Sequence, residues 1–247
     1  MEKFDTDGIV IKTKVTGESD LIVFVLTRNR GILRAFAKGA RGMKSKLHAG
    51  CSLFSYCDFS LTEKNEVYHI NEAEVKEVFF SLRENMPRMT LAQYFCEVLL
   101  KTVPEGESEE EYLRLTLNAL YLLCGDRRPI LLIKAVFELQ IAVLSGYAPP
   151  IHACSECGAF ETEKMYFDCL TGDLFCMNCG RHGDAPDEPL AVIAAMRHIV
   201  FSPFEKVFSF QLNADLLRPL TLLTETYLQN CFQVKFRLLE FFWMSVL

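Results

Sequence analysis

Apolar and polar positions keep one rhythm over roughly the first 80 residues and another beyond Pro87. Five early segments are rich in Val, Ile, Phe and Thr and alternate with turn signals: "GIVIKTKVT" (8–16), "SDLIVFVLT" (19–27), "GILRAFAKG" (31–39), "SLFSYCDFSLT" (52–62) and "VYHINEAEVKEVF" (67–79). Short segments of that composition, set apart by turns, predict about five strands. The breaks fall at Gly17 and Glu18, at 28–31, at 39–50 and at 63–65. Strands of that number and spacing predict a small antiparallel barrel over 1–80.

Past Pro87 the apolar positions recur at helical spacing. "RMTLAQYFCEVLLKTV" (88–103), "SEEEYLRLTLNALYLL" (108–123) and "PILLIKAVFELQIAVLSG" (129–146) predict helices, the second with Ser108 as its cap and acids in its first turn, the third closing at Gly146. Two more are expected at 188–201 and 213–232. The acid run "EGESEEE" (105–111) reads as a solvated loop and helix start. The fold class is therefore α+β: a barrel at 1–80 and a mostly α-helical part at 81–247, with an insertion at about 150–183.

Between the helices stands "CSECGAFETEKMYFDCLTGDLFCMNCG". Cys154 and Cys157 form one CxxC and Cys176 and Cys179 another, with 18 residues between. Four-cysteine zinc sites place about 15 to 20 residues between their pairs. Each pair turns two thiolates onto one ion in a tight knuckle, Gly158 and Gly180 give backbone freedom after each, and the intervening residues can form a hairpin. One structural zinc ion is the expected cofactor. Four thiolates fill a tetrahedron, which leaves no open position for an activated water. His152, His182 and Cys169 lie near enough in sequence to compete, but each is expected to be an ordinary surface or core residue.

No catalytic motif accompanies this site. His152 is followed by Ala153, so the deaminase H-x-E is missing, and there is no P-loop, GxGxxG, GxSxG or HExxH. His48, His69 and His198 stand alone. An enzyme is not expected. The N-terminus carries acids where an export signal needs cations, and "LLEFFWMSVL" (238–247) is interrupted by Glu240 and too short to span a bilayer. Neither secretion nor a membrane span is expected, so the ten cysteines are expected to stay reduced.

Charge narrows the search further. The formal net charge is -6, yet residues 1–80 hold 12 Lys and Arg against 11 Asp and Glu, whereas the remainder holds 14 against 21. Any polyanion site must be local. "RNRGILRAFAKGARGMKSKLH" (28–48) has seven cations, Arg28, Arg30, Arg34, Lys38, Arg41, Lys44 and Lys46, and no acid. Arg34 and Lys38 share a strand face, and Arg41, Lys44 and Lys46 sit in a loop broken by Gly39, Gly42 and Ser45 that can mould to a nucleic-acid backbone. The same cations could simply keep a face wet. Phe36 is either a core residue or a platform for a base.

With the opening "DGIVIKTKVTGESDLIVFVLTRNRGILRAFAKGARGMKSKL", the segment "FELQIAVLSGYAPPIHACSECG" and the second knuckle "GDLFCMNCG", essentially the whole chain resembles the RecO family of bacterial recombination mediators. The resemblance implies an oligonucleotide-binding (OB) barrel that binds single- and double-stranded DNA, annealing of complementary strands, and work with RecR and the single-stranded DNA-binding protein SSB to load RecA. It also implies a cytoplasmic bacterial protein, nucleoid-associated when on DNA, whose zinc stabilises the fold. On that basis the acidic, apolar-ended SSB tail is expected to meet the helical part, with Lys134, Arg127 and Arg128 as candidate cations. A zinc-ribbon adaptor that binds only protein is the alternative reading.

Overall fold

In a computed structural model, described here for residues 2–103, 110–179 and 188–246, the expected barrel is built by β1 (Glu2–Thr16), β2 (Asp20–Thr27), β3 (Ile32–Ala37), β4 (Ser55–Lys64) and β5 (Val67–Val78). The expectations placed on Ser108, Gly180 and His182 lie outside the described residues. The strands pair in the order β1-β2-β3-β5-β4, and β4 returns to β1 to complete the ring. Four pairings are antiparallel, but β3 and β5 run parallel and register at only two positions, Ala35 with Tyr68 and Phe36 with His69. This corrects the expected all-antiparallel barrel. An odd number of strands cannot alternate direction all the way around a ring, so at least one neighbouring pair must be parallel.

Alternation sorts the side chains. Val10, Val23, Val25, Ala35, Ala37, Cys57, Phe59, Leu61 and Ile70 fill the barrel, joined by Ala40 and Cys51 from the loop between β3 and β4. Close approach of β1 and β2 requires Gly8, because a Cβ there would stand 2.7 Å from both the Leu26 carbonyl and the Val25 side chain. A bulge between Val10 and Lys12 bends β1 so that it can pair on both edges.

Compactness divides the chain into Met1–Cys124 with Arg237–Leu247, and Gly125–Phe236. The first unit contains the barrel, α1 (Met86–Thr102), α2 (Glu110–Cys124) and α6 (Leu238–Val246). Asn85 caps α1 by accepting the Arg88 N–H at 3.1 Å. Helix α6 arises from the apolar stretch that sequence excluded only as a membrane span. Its first turn is held by Glu97 of α1, whose carboxylate accepts the N–H groups of Arg237 and Leu238 at 3.0 Å each.

The second unit contains α3 (Ile130–Leu144), α4 (Leu190–Phe201) and α5 (Ala214–Phe232). It also carries a small sheet of β6 (Lys164–Phe167), β7 (Leu174–Cys176) and β8 (Glu188–Pro189) in the order β7-β6-β8. Helix α3 is buried on every side from Leu132 to Ala142, as its nearly unbroken apolar sequence requires. Among the described residues, no helix is long and apolar enough to cross a membrane.

Candidate nucleic-acid interface and metal centre

The outer face of the barrel gathers cations and aromatic rings in two cross-strand rows. Lys12 of β1 faces Phe24 of β2, which faces Arg34 of β3. One row along, Lys14 faces Ile22, Ile22 faces Phe36, and Phe36 faces His69 of β5. Val23, Ala35 and Ala37, which alternate with Ile22, Phe24, Arg34 and Phe36, point into the core, and Lys12 and Lys14 are exposed, so both rows point outward. Phe36 is half-buried on this surface, and His69 meets its ring edge-on at 5.7 Å. Its two alternatives thus resolve to the outer face.

Of the seven predicted cations, Arg34, Lys38, Arg41, Lys44 and Lys46 are exposed. Arg41 donates to the Glu18 carbonyl at 2.8 Å. Among the described residues, Arg34, Lys38, Lys44 and Lys46 form no ion pair with a carboxylate. Arg28 and Arg30 differ. The Arg28 guanidinium grips Asp7 with Nε at 2.8 Å and Nη2 at 2.7 Å, and its Nη1 reaches Glu110. That guanidinium holds Asp7 at about 2, well below the usual carboxylate range, and outweighs a desolvation that opposes it, with the Tyr56 hydroxyl adding a further hydrogen bond. Arg30 lies over the Phe4 ring at 3.9 Å, with Glu2 at 3.5 Å and Glu63 at 3.7 Å. Sequence reasoning missed Lys12, Lys14 and Phe24, although Lys12 and Lys14 alternate along "IVIKTK" at the spacing that puts them on one face.

The four cysteines converge. Their sulfurs all lie within 4.8 Å of one another, and Cys157 and Cys176 are 3.7 Å apart. A tetrahedron with metal–thiolate arms of about 2.3 Å has edges of about 3.8 Å, so the spacing fits one ion. Among the described residues no other group of metal-ligating side chains converges in this way. The first knuckle closes when the Gly158 N–H donates to the Cys154 carbonyl at 2.9 Å, with Gly158 at φ 72°, where a side chain would be strained. In the second, the Cys179 N–H donates to the Cys176 carbonyl at 3.1 Å. Burial raises the Cys154 thiol, yet the N–H groups of Cys157, Cys176 and Glu156 outweigh it and lower that thiol to about 6.

The hairpin between the knuckles is β6 and β7, with Met165 registered against Cys176. Arg197 of α4 holds the knuckle segment: its Nε donates to the Ile151 carbonyl at 2.8 Å and its Nη2 to the Phe160 carbonyl at 2.7 Å. Neither described competitor is part of the cluster. His152 stacks on Phe201 at 3.8 Å, and desolvation pushes the half-buried Cys169 thiol up to about 12.

The candidate partner cations do not form one patch. Lys134 is fully buried, with Glu138 at 2.6 Å and Glu225 at 2.7 Å, and Glu138 also accepts the Thr224 hydroxyl at 2.8 Å. Its expected place on a surface is therefore corrected, because α3 is apolar all round and its single cation is neutralised from α3 and α5. Arg128 donates to the Phe210 carbonyl at 2.9 Å, and Arg127 is exposed.

Residues 1–79 match the family described as Recombination protein O N terminal, and residues 83–240 match Recombination protein O C terminal. A protein of Acetivibrio thermocellus named DNA repair protein RecO is 32% identical over 98% of this chain and 96% of its own length. One of Caldicellulosiruptor bescii with the same name is 28% identical over 98% of both chains, and one of Alkaliphilus metalliredigens is 34% identical over 72% of both.

Proposed function

This chain belongs to the RecO family of DNA repair proteins, and from that premise we propose that it is a non-enzymatic mediator that binds DNA backbone through one local face of its barrel. The observation that carries the reading is the run of exposed cations, Arg34, Lys38, Arg41, Lys44 and Lys46, on β3 and the loop after it, extended by exposed Lys12 and Lys14. Phosphates give up condensed counterions to such a surface whatever their sequence, so an acidic protein can hold both single strands and duplex there. Neutralising part of the charge on two complementary strands lowers their mutual repulsion, which favours annealing without ATP.

Cys154, Cys157, Cys176 and Cys179 hold one zinc ion, which stabilises the second unit and takes no part in chemistry. RecR and the SSB tail are the partners, RecA being loaded as the outcome, and the protein works in the cytoplasm and on the nucleoid. Arg127 is the exposed cation left for the terminal carboxylate of the SSB tail once Lys134 is set aside. The test is an annealing assay with a variant carrying Ala at positions 34, 38, 41, 44 and 46. That variant is expected to stay folded, to keep its metal and to anneal strands slowly. Annealing at the parent rate would remove this face from the function.

A further inference from the structure

The seam between β3 and β5 is the weakest stretch of the barrel wall. Because the two strands register only at Ala35 with Tyr68 and Phe36 with His69, the first half of β3 has no strand beside it on that edge. A cleft of about 500 Å3 opens there, within the size range of small-ligand sites. Its walls include Ile22, Ile32, Phe36, Val67 and Tyr68, and its lining carries one cation, Arg34. Phe36 and His69 make a T-shaped ring contact, and Lys12, Lys14 and Arg34 occupy the same sheet face. Glu66, in the turn between β4 and β5, lines the cleft as its one acid.

Resting on the DNA-binding reading above, we propose that this cleft seats one unstacked base of a single strand against Phe36, while Arg34 and the β1 lysines hold the flanking phosphates. An apolar, aromatic-walled recess suits the flat face of a base, and a rim of cations suits the charged backbone that carries it. Glu66 repels phosphate and so directs the backbone toward Arg34. A duplex must unpair and unstack a base before it can enter, whereas a single strand gives one up far more readily. The barrel therefore has two modes: the loop after β3 takes the phosphates of any strand, and the cleft takes only a strand with free bases.

The experiment compares, with the full-length protein, two labelled strands of equal length and charge, one bearing bases and one made of abasic residues. The base-bearing strand is expected to bind about tenfold more tightly, a difference of about 1.4 kcal/mol, in the range of one base stacked on an aromatic ring. Phe36→Leu is expected to bring its affinity down to that of the abasic strand. Equal affinity of the parent protein for the two strands would overturn the base seat and leave phosphate binding standing. A tenfold preference that survives Phe36→Leu would also overturn the seat. Binding to neither strand would overturn the DNA-binding reading, and this one with it. The parent comparison needs no variant, so the test stands even where Phe36→Leu fails to fold.

Discussion

Arg28 shows how one position can belong to a charge cluster in sequence and to a different network in space. Its partner Asp7 lies 21 positions earlier and Glu110 lies 82 positions later, and neither pairing leaves a periodic trace in the chain. Lys134 was equally illegible, because Glu225, which helps neutralise it, is 91 positions away. The alternation that predicts Arg34 and Lys38 on one strand face needs only neighbours, yet only Arg34 stands on β3, because the strand ends at Ala37 and Lys38 opens the turn that follows. Because Asp7 is held at about 2 against an ordinary 3.8, its ionised form is favoured in the folded state. The stability it contributes is fully present above pH 3.8 and is lost as pH falls from there toward 2. Allowing for the exposure of Arg28, that contribution is on the order of 1 to 2 kcal/mol. Asp7→Asn is thus expected to lower the urea midpoint at pH 7, with the gap to the parent narrowing through that acid window. A gap that stays constant with pH would show that the Asp7 charge contributes nothing.

Among the elements, the knuckles were the most legible, since ligand identity and spacing are local and each CxxC needs little beyond its own turn. The hairpin β6–β7 followed from the same spacing. Helix α6 was not legible as a helix: its nine residues carry a strong apolar signal, but its first turn is held by Glu97 from far upstream. Parallel β3 and β5 were within reach of the sequence, because five strands in a ring already forbid full alternation. Cys154→Ser is expected to abolish stoichiometric zinc and to increase protease cleavage and amide exchange between about 150 and 179. Cys169→Ser is expected to leave the metal content unchanged, since its sulfur approaches the Leu223 carbonyl at 3.9 Å and stands outside the cluster. Elemental analysis of protein purified without chelators decides both. A zinc-free parent, or zinc retained after Cys154→Ser, would contradict the assignment.

Across the whole molecule, the change of rhythm near residue 80 marks where strands give way to helices, and compactness draws a different line. Helices α1, α2 and α6 group with the barrel while α3, α4 and α5 form the second unit. Periodicity reports which side of an element is buried, not against what, so the grouping could not be read from it. Net charge carries the same lesson: an overall -6 conceals the cationic run at 28–48, which the sequence shows, and the pairing that sets Lys12 and Lys14 of β1 on the sheet face of Arg34, which only the fold shows. The most direct test of that face is a salt titration of DNA binding by the purified chain. If about four of its cations meet phosphates, log affinity should fall against log salt with a slope of roughly -3 on single strands and roughly -4 on duplex. Replacing Arg34, Lys38, Arg41, Lys44 and Lys46 together by Ala should flatten both slopes and weaken binding alike on every sequence. A folded variant that binds with the parent's affinity and the parent's slopes would contradict the central claim and place the DNA elsewhere.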